Sequence, residues 1–205
     1  MKIKVLDPLI ASKIAAGEVI ERPSSVIKEL VENSIDANST TIEIEIINGG
    51  MDLIKIIDNG EGITKEDLPL AIKRHATSKI DTIDDLSYLI SMGFRGEALA
   101  SIAAVSQMEL SSKPLESLAG SNIQVENSTI LTEKPVSMIN GTSIIVNNLF
   151  YNLPARKKFM STQKSESNRI LRLVNHFCVT YPEMRFKLII DEKQKINTIG
   201  NGEQI

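Results

Sequence analysis

The sequence predicts an α/β sandwich, an α+β arrangement in which helices pack on one face of a mixed, mainly antiparallel sheet. Three observations predict it. Residues 41–46 (TIEIEI) alternate strictly, then Asn48-Gly49-Gly50 supplies turn residues before a second apolar run at 53–58. Between 107 and 149 short alternating runs are broken by Pro114, Gly120, Pro135 and Gly141. Apolar residues recur at helical spacing in 27–35 and 170–177, and 97–104 is alanine-rich. With 205 residues, 42% of them hydrophobic, the chain can bury one sizeable core.

In chain order, Asp7-Pro8 reads as an N-cap followed by proline at the first helical position, with Gly17 placed to end that short helix. Ser24 or Ser25 caps the next helix, which carries KELVENSIDA at 28–37. The runs at 41–46 and 53–58 form a β-hairpin. Thr64 with Asp67 resembles a capping box, so a helix should run toward His75, with Pro69 making its first turn irregular. Thr82 and Asp85 repeat that pattern before residues 86–90. A helix over 97–104 follows Gly93-Phe94-Arg95-Gly96, and the runs from 107 to 149 make a mostly antiparallel sheet. A helix over 168–181 and a hairpin pairing 185–190 with 196–199 complete the pattern. The turn residues at 200–205 lead us to expect one piece of a longer protein.

A net charge of −3 and a pI near 5.5 argue against a protein that coats nucleic acid, so any DNA contact must be local. One cysteine (Cys178) excludes a disulfide framework, and with His75 and His176 it falls short of the usual zinc ligand set. A reducing cytoplasm fits. The N-terminus lacks a long apolar core, and no later stretch approaches the roughly 18 apolar residues of a spanning helix.

Three short blocks carry chemistry. At 100° per residue Glu29, Glu32, Asn33 and Asp36 share one helix face opposite Ile27, Leu30, Val31 and Ile35. That face is either solvated or waiting for a cation, and solvated faces usually mix lysine with glutamate. Asp58-Asn59-Gly60-Glu61-Gly62 follows a strand, and its glycines let backbone approach a ligand closely, although such a loop also serves as an ordinary turn. The Asp58 carboxylate should sit at the rim of the core, where it can accept from an exocyclic amino group. Gly93 to Leu99 places glycines around a helix start, whose free N–H groups suit phosphate. Thr77 and Lys79 lie on a loop able to close over the same phosphates. Neither GxxxxGK[ST] nor GxGxxG is present, so a phosphate site here must be built differently.

Those blocks, in this order, resemble the nucleotide-binding motifs of the GHKL (Bergerat-fold) ATPase superfamily, which includes gyrase B subunits, sensor histidine kinases, heat-shock chaperones and MutL. Residues 14–37 (IAAGEVIERPSSVIKELVENSIDA), 74–80 (RHATSKI), 93–102 (GFRGEALASI) and 150–159 (FYNLPARKKF) are similar to the N-terminal ATPase region of the MutL family of mismatch-repair proteins. The likeness runs from about residue 5 to residue 159 and continues more weakly beyond. GFRGEAL and FYNLPAR argue against a topoisomerase subunit. Two departures, Leu153 where the family often has threonine and Glu61 at a variable position, remove no polar group the chemistry needs.

The resemblance implies a Mg²⁺-dependent ATPase with Glu29 as general base and Asn33 as Mg²⁺ ligand. It implies that Asp58 reads the adenine amino group, with Ala37, Gly60, Gly62 and Thr142 near the base. Gly93, Phe94, Arg95, Gly96, Glu97, Ala98 and Leu99 would form the phosphate lid, joined by Thr77 and Lys79. It implies an arm and first helix over 1–21, an ATP-binding domain over 22–205, and a catalytic lysine from a second domain absent here, so this chain alone should turn over slowly or not at all. Implied partners are ATP, a second copy on ATP binding, the mismatch-recognition protein MutS, a downstream nuclease or helicase, and DNA. The cluster Arg156-Lys157-Lys158 reads either as a phosphate-backbone contact or as a solvated helix end. A DNA-binding or scaffold module without ATP chemistry is the non-enzymatic alternative.

Overall fold

The structure, a computed structural model, describes residues 16–17, 19–79, 92–93 and 96–202. The expected start of the first helix, the helix before residue 90, and Phe94 and Arg95 of the lid lie outside them.

The sheet forms because alternation gives each strand one apolar face. In β1 (Thr41–Ile47) Ile42, Ile44 and Ile46 are buried, and in β2 (Leu53–Asp58) Ile54, Ile56 and Asp58 are buried. A short 3-10 turn at Asn48–Gly50 joins them into the expected antiparallel hairpin. Four antiparallel strands follow: β3 (Gln107–Lys113), β4 (Gly120–Glu126), β5 (Thr129–Val136) and β6 (Gly141–Asn147). A final hairpin pairs β7 (Arg185–Ile190) with β8 (Lys193–Asn197), three residues earlier than expected at its second strand. Among the described residues these make one eight-stranded sheet in the order β5-β4-β3-β6-β2-β1-β7-β8. β1 and β7 run parallel, which makes the sheet mixed, as predicted.

Helix α1 (Pro23–Asp36) lays Val26, Ile27, Leu30 and Val31 on the buried face of the sheet. Arg22 is its N-cap and Pro23 takes the first helical position, so neither Ser24 nor Ser25 caps it. Helix α2 (Ala98–Val105) is nearly all buried, as its alanine content allows. After α3 (Pro154–Lys158), a one-turn helix that ends at the basic cluster, α4 (Gln163–Thr180) buries Ile170, Val174 and Phe177. It begins before the expected residue 168 because the Thr162 hydroxyl accepts from Ser165 N at 3.3 Å. Glu166 is buried on α4 and faces Arg22 Nη1 at 3.6 Å, tying α4 to the entry of α1.

Two further expectations are corrected. Residues 64–75 form successive turns, not a helix. The Thr64–Asp67 capping pair does form, with Asp67 N donating to Thr64 Oγ1 at 3.2 Å and the threonine hydroxyl to Asp67 Oδ2 at 2.9 Å. Pro69 has no N–H and its ring crowds the carbonyl four residues back, so the nucleus does not propagate. Gly17 does not end its helix either: Val19 is still helical and Ile20 N donates to Ala16 O at 2.8 Å.

Candidate functional site

Of the expected residues, Ala37, Asp58, Gly60 and Thr142 meet where the end of α1 reaches the end of β2, and Lys79 and Gly93 approach Asn33 and Asp36 of α1. Asp58 closes β2 and stands opposite Thr142 of β6 in the ladder, so their side chains lie side by side on the helix-covered face. The Asp58 carboxylate is almost wholly held. Oδ1 accepts from Gly60 N at 2.9 Å and Thr142 N at 3.2 Å, and Oδ2 accepts from the Ser34 hydroxyl at 2.8 Å. Burial pushes its pKa above the ordinary value of 3.8, and the hydrogen bonds from Gly60, Ser34 and Thr142 pull the other way.

Glycine is needed on the adjoining loop for close approach. A Cβ at Gly60 would lie 2.6 Å from Ser39 Oγ and 2.7 Å from Ala37 O, and Gly62 has φ +75° against Lys113 O. Ala37 caps α1, donating to Asn33 O at 3.0 Å and accepting from Glu61 N at 3.0 Å, which fixes the loop to the helix.

The polar face of α1 is half-buried, so it is not an ordinary solvated stripe. Glu29, Asn33 and Asp36 follow at one-turn spacing, and Glu32 is held by Lys28 Nζ at 2.7 Å. Lys79 enters this face: its ammonium lies 2.6 Å from Asp36 Oδ2 and 3.1 Å from Asn33 Oδ1. Asp36 also accepts from Met92 N at 3.1 Å and Gly93 N at 3.2 Å, which brings the beginning of the glycine-rich segment onto α1. Lys79 N reaches Thr77 Oγ1 at 3.2 Å. Beyond, Gly96 has φ +61° and accepts from His75 N at 3.0 Å, while the Glu97 carboxylate turns to His75 Nδ1 at 3.3 Å rather than capping α2. Ala98 and Leu99 open that helix.

Sequence reasoning missed Ser34, Ser112 and the Asp36–Lys79 pair. The signal for Ser34 was present: it falls one turn after Leu30, a hydroxyl inside the apolar stripe. Lys79 and Asp36 are 43 residues apart, and no local pattern announces their contact. Arg156 matches neither of its expected readings, because it turns inward, donates to Ile20 O at 3.2 Å and lies 5.8 Å from the Phe150 ring centroid. Lys157 and Lys158 are exposed. Among the described residues, no cluster of histidine, cysteine and carboxylates could hold a metal, and no helix is long and apolar enough to cross a membrane.

Known proteins share this fold. A family model described as histidine kinase-, DNA gyrase B-, and HSP90-like ATPase matches residues 20–149. The DNA mismatch repair protein MutL of Clostridium tetani is 49% identical over 98% of this chain and 32% of its own length. That of Dictyoglomus thermophilum is 52% identical over 98% of this chain and 35% of its own. The chain thus spans about a third of the length of these curated relatives. Among solved structures, the Aquifex aeolicus MutL ATPase domain complexed with ADP superposes with a TM-score of 0.72 and 35% identity, covering 88% of this chain and 64% of that one. The N-terminal domain of a DNA repair protein gives a TM-score of 0.79 at 28% identity, over 94% and 57%.

Proposed function

Because the chain belongs to the histidine kinase-, DNA gyrase B-, and HSP90-like ATPase family, we propose that it is the ATP-binding region of a MutL-type mismatch-repair protein, an ATP-gated switch. The observation that carries this reading is Asp58, a buried carboxylate at a strand end, bordered by close-approach glycines and facing a helix that presents Glu29 and Asn33 one turn apart.

In this reading Asp58 Oδ2 accepts from the adenine amino group, with Ala37, Gly60, Gly62 and Thr142 around the base. Gly93, Gly96, Glu97, Ala98 and Leu99, with Phe94 and Arg95 between them, form the lid over the phosphates, and Thr77 and Lys79 join them. The first-turn N–H groups of α2 favour anions there. Glu29 orients and deprotonates the attacking water, the role a carboxylate can fill at hydrogen-bond reach.

In this reading one amide oxygen, with the phosphates, would suit Mg²⁺. Asn33 Oδ1 already receives a cation, the Lys79 ammonium, and Gly93 offers no Cβ where one would lie 3.3 Å from that oxygen. Asn33 would hold the ion, which would neutralise charge on the triphosphate, and few protein oxygens suffice because Mg²⁺ keeps water and phosphate ligands.

We further assign residues 22–205 to the ATP-binding domain and 1–21 to an arm that takes part in ATP-dependent self-association. A lysine from a second domain outside this chain completes the pocket. The whole protein would couple the mismatch-recognition protein MutS to a downstream nuclease or helicase, with DNA as a further partner. The test is a pair of variants in a longer chain: Glu29→Ala should keep nucleotide binding and abolish turnover, while Asp58→Ala should lose binding itself. Equal loss of binding in both contradicts these roles.

A further inference from the structure

One row of side chains crosses the helix-covered face of the sheet at the level of the site. Asp58 of β2 pairs with Thr142 of β6, and Thr142 pairs with Ser112 of β3. Directly paired residues share a face, so these three polar groups form a rung where the neighbouring positions are Ile56, Ile144 and Leu110. Ser112 is 1% exposed, and Asp58 and Thr142 are each 8% exposed. Buried groups of this kind must account for every proton they carry.

Ser112 Oγ has three neighbours: Ile63 N at 2.8 Å, Gly141 O at 3.0 Å and Thr142 Oγ1 at 2.9 Å. An amide N–H can only donate and a carbonyl can only accept. The single Ser112 proton therefore goes to Gly141 O, and its two lone pairs take the Ile63 N–H and the Thr142 hydroxyl proton. Thr142 has then spent its proton on Ser112, and its oxygen offers lone pairs alone. At the other end of the rung, the single Ser34 proton has two acceptors, Leu30 O at 3.1 Å and Asp58 Oδ2 at 2.8 Å, and the nearer, charged carboxylate takes it, while Oδ1 is filled by two backbone N–H groups. The neighbouring Ser39 hydroxyl lowers the Asp58 pKa but reaches no partner at hydrogen-bond distance, so Oδ2, having accepted one bond, has room for a second.

We propose that Ser112 is a positioning residue for base selection: by fixing the direction of the Thr142 hydroxyl it leaves the Asp58–Thr142 wall with acceptors only. This rests on that wall being the base site of the ATP reading. A 6-aminopurine brings donor protons to such a wall. A 6-oxopurine sets its own acceptor against it and leaves buried groups unpaired, which is the strong form of polar discrimination.

The test is calorimetric titration of this chain with ATP and with inosine triphosphate, each with magnesium. Ser112→Ala releases the Thr142 proton to meet a 6-oxo group, so the preference for ATP should fall about tenfold. Inosine triphosphate should bind more tightly in that variant than in the parent, a gain that loosened packing does not produce. Ser112→Thr keeps the hydroxyl and should restore the parental ratio. Thr142→Val, which keeps volume in the strand, should weaken ATP and leave inosine triphosphate unaffected. An unchanged ratio in Ser112→Ala, or equal weakening of both nucleotides in Thr142→Val, overturns the role of Ser112. Failure of the unsubstituted chain to bind either nucleotide overturns the ATP reading itself.

Discussion

The Lys79 ammonium stands 3.1 Å from Oδ1 of Asn33, the oxygen assigned to Mg²⁺, and 2.6 Å from Oδ2 of Asp36. If Asn33 holds Mg²⁺ as proposed, the ion and the ammonium repel at this distance, so metal binding would push Lys79 off Asn33. Lys79→Met removes a partly buried ion pair and should cost about 1 kcal/mol without nucleotide. It should also make stability respond to magnesium alone, because Asn33 and Asp36 lose their resident cation. Urea unfolding with and without magnesium chloride checks both, and midpoints identical to the parent's under both conditions would contradict the exchange.

Asp58→Asn separates stability from binding. Burial raises the Asp58 pKa above 3.8, so its folded form binds a proton more readily than its unfolded form. Its proton-linked stability is present below the unfolded value and is lost as pH rises through the higher folded value. At neutral pH the buried charge is a cost that asparagine does not carry, while asparagine can still accept from Gly60 N and Thr142 N. The variant should therefore match or exceed the parent's melting temperature at pH 7, lose that advantage as pH falls toward 4, and fail to bind ATP. Melting curves across that pH range provide the check, and a variant less stable at pH 7 than at pH 4 relative to the parent would be the opposite result.

Gly60→Ala tests the close approach of loop to helix. The added methyl would meet Ser39 Oγ at 2.6 Å and Ala37 O at 2.7 Å, so the loop must move away from the end of α1. Overpacking of this kind costs about 1–3 kcal/mol. Nucleotide affinity should fall further than stability alone explains, as shown by titration at a temperature where the variant remains folded.

Arg156→Ala should destabilise by about 1–2 kcal/mol, through the lost bond to Ile20 O and the contact with the Phe150 ring. Lys157→Ala and Lys158→Ala, on exposed side chains, should stay within about 0.5 kcal/mol of the parent. Denaturant midpoints distinguish the three, and a neutral Arg156→Ala would remove its anchoring role.

The strands were legible in the sequence wherever one face is apolar, as in Ile42-Ile44-Ile46, because burial on one side imposes a period of two. α1 was legible for the same reason at a period of 3.6, which set Glu29 and Asn33 on its polar side, and the apolar run of β2 set Asp58 at its end. What escaped depends on tertiary contact. The capping pair at Thr64 and Asp67 forms yet yields turns, because Pro69 outweighs it. Arg156 reads as surface charge until the chain before α1 folds beneath it. Ser112 looks like any strand serine, and only the pairing of β3 with β6 places it beside Thr142.

The most direct measurement is isothermal titration of the folded chain with a nonhydrolysable ATP analogue and magnesium. A saturable heat with one nucleotide per chain, absent in Asp58→Ala and weakened when magnesium is chelated, is the expected result. A flat titration with well-folded protein would contradict the ATP site.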